Sequence, residues 1–170
     1  MRSNKLARLC LFGLAVLTST NAAPAAPGAK GHAHTTYAAG VPGDAKKPFR
    51  VIEVIATETA PGKMSFTPDR ITVQRGEQIK FVIRNAGKMD HEFLLDSVAA
   101  NAKHAVAMMK HPEMVHDDPN GRRITMSASE DMVWKFTKLG TFEYACLIPG
   151  HYESGMKGTV DVVKPSAAKR

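Results

Sequence analysis

The chain holds 170 residues, 44% hydrophobic and 23% charged, with a formal charge of +7. That length suits one domain with its own core, and plentiful apolar residues beside charges of both signs exclude wholesale disorder. Two cysteines exclude a disulfide scaffold. The longest apolar run, residues 9–17, is far shorter than the ~20 residues of a membrane span.

Arg2, Lys5 and Arg8 lead into that run, and small residues follow it from Thr18 to Ala23. This is the layout of a cleavable secretory signal peptide over residues 1–22, which predicts an exported, periplasmic protein. Cys10, preceded by Arg8 and Leu9, does not fit a lipidation site. Cleavage removes three cations and no anion, leaving +4 from the original +7. No basic cluster with interleaved aromatics remains, so nucleic acid is excluded as a partner.

Residues 23–48 are rich in Pro, Ala, Gly, Lys and His, and predict a flexible lead-in; its His32 and His34 are a weak metal candidate. From Phe49 the texture changes to short β-branched runs separated by turns. Strands are predicted at 51–55, 71–73, 78–84, 91–95, 132–137, 141–146 and 158–163. Ile79, Phe81 and Ile83 alternate with polar residues, as do Met132, Trp134 and Phe136. Period-two patterning buries one face of each strand, as in an antiparallel sandwich. Residues 97–110 are Ala- and Met-rich without a turn residue and predict a helix stopped by Pro112, with a loop at 117–121. The outline is an all-β sandwich over 49–164 with a helical insertion at about 97–121 and a tail at 165–170.

Cys146 is the single cysteine of the mature chain, and strand alternation turns it inward with Phe142 and Tyr144. His151 and Met156 follow at intervals of five, on a loop whose Pro149, Gly150 and Gly155 allow it to fold back. His91, opening the strand after the turn at 85–87, is the expected fourth donor, with Met89 as an adjacent competitor. Two imidazoles, a thiolate and a weak thioether form the type 1 copper set, whereas structural zinc prefers more cysteines. Two plainer readings stand beside this one. Cys146 and Met156 are also ordinary packing residues, and Cys146 with His151 also suits a nucleophile and base, although no orienting Asn or Asp stands out.

The stretch 146–160, with its Cys-x4-His-x4-Met spacing, resembles the ligand loop of the cupredoxins, rusticyanin especially. With Asn85, His91 and the strand pattern, the resemblance covers roughly residues 50–164. It implies a Greek-key β-sandwich with copper near one end, ligated by His91, Cys146, His151 and, more weakly, Met156. It also implies that His151 lies near the surface as an electron port while His91 sits deeper.

A second, weaker copper candidate is the crowd of His104, Met108, Met109, His111, Met114 and His116. The plainer alternative is that these methionines pack the insertion and the histidines face water. Two functions fit the whole pattern. One is copper handling and tolerance, which the Met/His-laden insertion favours; the other is one-electron transfer between periplasmic partners such as a cytochrome. A multicopper oxidase is not expected. The residues flanking Cys146 are Ala145 and Leu147 rather than histidines, and no second His set marks another domain. Weak cuprous oxidation by the site itself is the remaining chemistry.

Overall fold

The computed structural model describes residues 37–112 and 118–166. The signal peptide, His32, His34, Met114 and His116 lie outside the described residues. Ten strands and one helix follow in chain order: β1 (Gly40–Pro42), β2 (Arg50–Ala60), β3 (Lys63–Thr67), β4 (Arg70–Gln74), β5 (Gln78–Asn85), β6 (His91–Asp96), α1 (Val98–Lys110), β7 (Gly121–Ile124), β8 (Ser129–Phe136), β9 (Gly140–Ala145) and β10 (Lys157–Val163). They form two five-stranded sheets, ordered β1-β8-β5-β2-β3 and β4-β10-β9-β6-β7.

Alternation decides which faces meet. Val54 and Ala56 of β2, Ile79, Phe81 and Ile83 of β5, and Met132, Trp134 and Phe136 of β8 are all buried. Phe93, Phe142, Tyr144, Val160 and Val162 oppose them from the second sheet. Phe93 lies at the middle of this core, stacked on Tyr144 at 5.2 Å and close to Phe66 and Phe81 at 5.8 and 5.4 Å. Ring pairs at such distances add to the area they bury.

The sheets are mixed rather than purely antiparallel, which corrects the expectation from patterning. After the β2–β3 hairpin the chain crosses to the other sheet for β4 and returns as β5, which therefore runs parallel to β2. β10 likewise runs parallel to β4. Period-two burial is common to both pairings, so the pattern carries no information about direction.

The lead-in also differs from expectation at its end. Residues 40–42 pair with β8, Ala39 is fully buried, and Tyr37 meets Trp134 edge-on at 5.3 Å. Three residues of Gly-Val-Pro have no period of their own; Trp134 and the edge of β8 supply the order. β3 and β7 were unexpected for a similar reason. Gly121–Ile124, with Arg122 and Arg123 at its centre, is a strand because it pairs with β6, Leu94 against Gly121 and His91 against Ile124.

α1 spans the expected segment. Ser97 caps it by accepting the Ala100 N–H at 3.2 Å, and His111 closes it. Its Met108 packs with Leu94, Ala145 and Leu147 on the outer face of β6 and β9. Those strands are thereby covered on both sides, which buries five successive residues from His91 to Leu95.

Candidate metal centre

The site forms where the N-terminal end of β6 meets the loop between β9 and β10. Asn85, at the end of β5, is buried and shapes the approach: its amide donates to the Met89 carbonyl at 2.7 Å and the Ile124 carbonyl at 3.1 Å, while its Oδ1 accepts the Gly87 N–H at 2.9 Å. That staple delivers His91 to the first position of β6. Cys146 stands just beyond β9, where the Glu92 N–H donates to its Sγ at 3.2 Å. The Glu92 carboxylate turns back to accept the Leu147 N–H at 3.3 Å.

The loop after Cys146 winds through short turns. His151 N–H donates to the Ile148 carbonyl at 3.0 Å, Ser154 Oγ to the Gly150 carbonyl at 2.7 Å, and Gly155 N–H to the Tyr152 carbonyl at 3.0 Å. Gly150 and Gly155 hold φ of 88° and 98°, values that side-chain-bearing residues adopt only with strain. Met156 is tied to both neighbours in the site. Its N–H donates to the His151 carbonyl at 3.1 Å, and its carbonyl accepts the Cys146 N–H at 3.0 Å.

These elements bring His91, Cys146 and His151 together, with one donor atom of each within 4.8 Å of the others. His151 Nδ1 lies 3.3 Å from Cys146 Sγ and 3.4 Å from His91 Nδ1. Metal–nitrogen bonds of about 2.0 Å and a metal–sulfur bond of about 2.3 Å, spread roughly 120° apart, separate donors by about 3.5 Å. The three donors therefore fit around one ion. His91 is fully buried and His151 is 4% exposed, so His151 is the one nearer solvent. Met156 is fully buried in the same core cluster as Cys146. Met89 is 45% exposed, its carbonyl and N–H both engaged in the loop that positions His91.

Burial sets the protonation states. It pushes the Cys146 thiol up to about 12, against the opposing pull of the Glu92 N–H. It also holds His91 and His151 below the ordinary histidine range, the first despite the nearby Glu58, the second reinforced by His91. At neutral pH both imidazoles are unprotonated and offer lone pairs, while the sulfur must lose a proton before it binds metal.

One feature of this centre was not anticipated. Glu58, near the end of β2, lies 3.0 Å from His91 Nε2 on the side of the ring away from the cysteine. Burial would raise its carboxyl, but hydrogen bonds from the Lys88 and Met89 N–H groups, with the neighbouring His91, hold it below the ordinary carboxylate value. Nothing local marks this residue in the sequence, because its partner lies 33 positions away.

Among the described residues, those of the insertion are not gathered in the same way. His104 lies 3.7 Å from the Glu92 carboxylate, Met108 is buried against the outer face of the second sheet, Met109 is 66% exposed, and His111 is exposed at the helix end.

The model of the copper binding proteins of the plastocyanin/azurin family matches residues 53–163. The chain belongs to this family. As a cupredoxin it is 43% identical over 168 residues to the copper-resistant cuproprotein CopI of Rubrivivax gelatinosus, covering 94% of this chain and 98% of that protein. It is 35% identical over 152 residues to the copper-resistant cuproprotein CopI of Pseudomonas aeruginosa, covering 72% of this chain and 81% of that one. Among solved structures it resembles dithionite-reduced auracyanin from Roseiflexus castenholzii, with a TM-score of 0.58 and 20% identity over 69% of this chain and 99% of that one. That last likeness speaks to the fold, and the two-sheet cupredoxin sandwich is the one expected. The resident metal is copper. Among the described residues, no helix is long and apolar enough to cross a membrane.

Proposed function

We propose that this cupredoxin is a periplasmic copper-tolerance protein holding one type 1 copper at His91, Cys146 and His151, with Met156 as a weaker fourth donor. The observation that carries the reading is the convergence of a lone thiol and two neutral imidazoles within 4.8 Å in a buried pocket. The naming of its relatives as copper-resistant cuproproteins supports tolerance over electron carriage.

Bound copper supplies a one-electron Cu(I)/Cu(II) couple. The chain's own residues do the rest. Cys146 releases its proton and offers a soft sulfur that suits Cu(I), while the imidazoles accept both oxidation states. The Glu92 N–H holds the sulfur lone pairs in place, and Asn85 and the turns of the 147–156 loop keep the donors from spreading. A site that changes little between the two states keeps reorganisation small. Ala145 and Leu147 flank the cysteine with no donor to relay an electron onward, so the protein binds and buffers copper rather than working as a multicopper oxidase.

The test is copper titration of the mature chain, following optical absorption and metal per molecule together, paired with growth of a deletion strain on copper. One coloured equivalent and a copper-sensitive strain are expected. A coloured protein whose loss leaves copper tolerance unchanged would instead indicate an electron carrier.

A further inference from the structure

We propose that Glu58 is a positioning residue for the copper centre: its carboxylate fixes the His91 ring with Nδ1 facing the other donors, and its negative charge weights the site toward Cu(II). The inference rests on His91 being a ligand, as proposed above, and goes beyond it to what holds that ligand and sets its potential.

The carboxylate is built into the loop that precedes His91. Oε1 accepts the His91 Nε2–H at 3.0 Å and the Met89 N–H at 3.2 Å, and Oε2 accepts the Lys88 N–H at 2.8 Å. Space has been cleared for it. A Cβ on Gly87 would lie 2.5 and 2.6 Å from the two carboxylate oxygens, so the group fills the place where a side chain would stand. β2 shifts register against β3 between Glu58 and Ala60, at the position from which this side chain reaches across. Three donors from a four-residue stretch thus converge on one carboxylate, and one of them is a proposed metal ligand.

Two consequences follow from chemistry. An imidazole that donates its Nε2–H to an acceptor has its lone pair on Nδ1, the nitrogen that faces His151. A carboxylate on the far side of a ligating imidazole makes it more basic and stabilises the more positive metal state. Losing such a partner typically costs 10–100-fold in metal affinity. The loss falls mainly on Cu(II), so the carboxylate holds the reduction potential low.

The experiment compares the copper-loaded full mature protein with Glu58→Gln and Glu53→Gln. Glu53 lies on the same strand, exposed and paired with Arg84, and serves as the control for loss of one negative charge. Gln can still accept the His91 Nε2–H, so Glu58→Gln removes charge while keeping the ring in place. The expected result is about a tenfold loss of preference for Cu(II), read as a rise of about 59 mV in potential, with no comparable change in Glu53→Gln. A Glu58→Gln potential matching the Glu53→Gln value overturns the proposal. Nitrogen NMR of the copper-free protein reads positioning without any metal. Wild type should show His91 protonated at Nε2 alone, and Glu58→Ala should show mixed tautomers. Mixed tautomers in wild type, or no change in Glu58→Ala, overturn the positioning role even if a variant takes up no copper. A wild-type protein that stays colourless with copper would fail the ligand assignment instead, a distinguishable outcome.

Discussion

Copper uptake should be steeply pH-dependent, because the sulfur donor is protonated in the metal-free protein. Burial carries the Cys146 thiol from the ordinary 9.0 to about 12. At pH 7 that is about five pH units of deprotonation, or about 7 kcal/mol at 1.36 kcal/mol per unit, drawn from the intrinsic strength of the copper–thiolate bond. His91 and His151 add nothing to this near neutrality, since burial keeps both below the ordinary histidine range. One proton should therefore leave per copper bound, and apparent affinity should rise about tenfold per pH unit between pH 7 and 9. Competition against a chelator of known protonation behaviour, repeated across that range, gives the slope. Proton release into a weakly buffered solution gives the stoichiometry independently. A flat affinity, or a slope that survives in Cys146→Ala, would refute the reasoning, because copper would then be binding without the thiolate.

Three further outcomes are expected. Cys146→Ala should abolish the visible charge-transfer colour, whereas Met156→Leu should keep it and shift the potential, as absorption and voltammetry would show; sulfur donation makes the colour and the axial donor tunes the couple. Phe93→Ala should cost about 3–5 kcal/mol in denaturant unfolding, because the ring is fully buried among Phe66, Phe81 and Tyr144 and its removal leaves a cavity; a loss under 1 kcal/mol would contradict the packing described. The metal-free protein should lose stability as pH falls below the ordinary histidine value of 6.5. The unfolded chain then takes up protons that the buried His91 and His151 resist, and His151→Phe should flatten that limb of a thermal unfolding series.

Much of this architecture was legible because burial follows a period of two. Ile79, Phe81 and Ile83, and Met132, Trp134 and Phe136, mark buried faces with no knowledge of the partner strand. The metal loop was legible for a different reason: Cys146, His151 and Met156 are close in sequence, so their spacing can be read directly. What could not be read are features that depend on distant partners. β1 is ordered by Trp134 and the edge of β8, and β7 by β6, neither having an apolar pattern of its own. The parallel run of β5 beside β2 follows from a crossover between sheets rather than from either strand. Glu58 sits in a strand that also carries Arg50 and Glu53, and shows its importance only when the loop at 87–91 folds over it. The crowd of histidines and methionines in the insertion shows the converse. Met108 went to cover Leu94 and Ala145 while Met109 stayed exposed, because the helix had to supply an apolar face to the outer side of β6 and β9.

The central claim is that one copper is held by a single sulfur anion and two imidazoles at one end of the sandwich. X-ray absorption at the copper edge, on protein loaded with one equivalent, tests it most directly. One short copper–sulfur bond with two copper–imidazole shells is predicted, the sulfur shell vanishing in Cys146→Ala; a coordination sphere of nitrogen and oxygen alone, unchanged in that variant, would contradict the account.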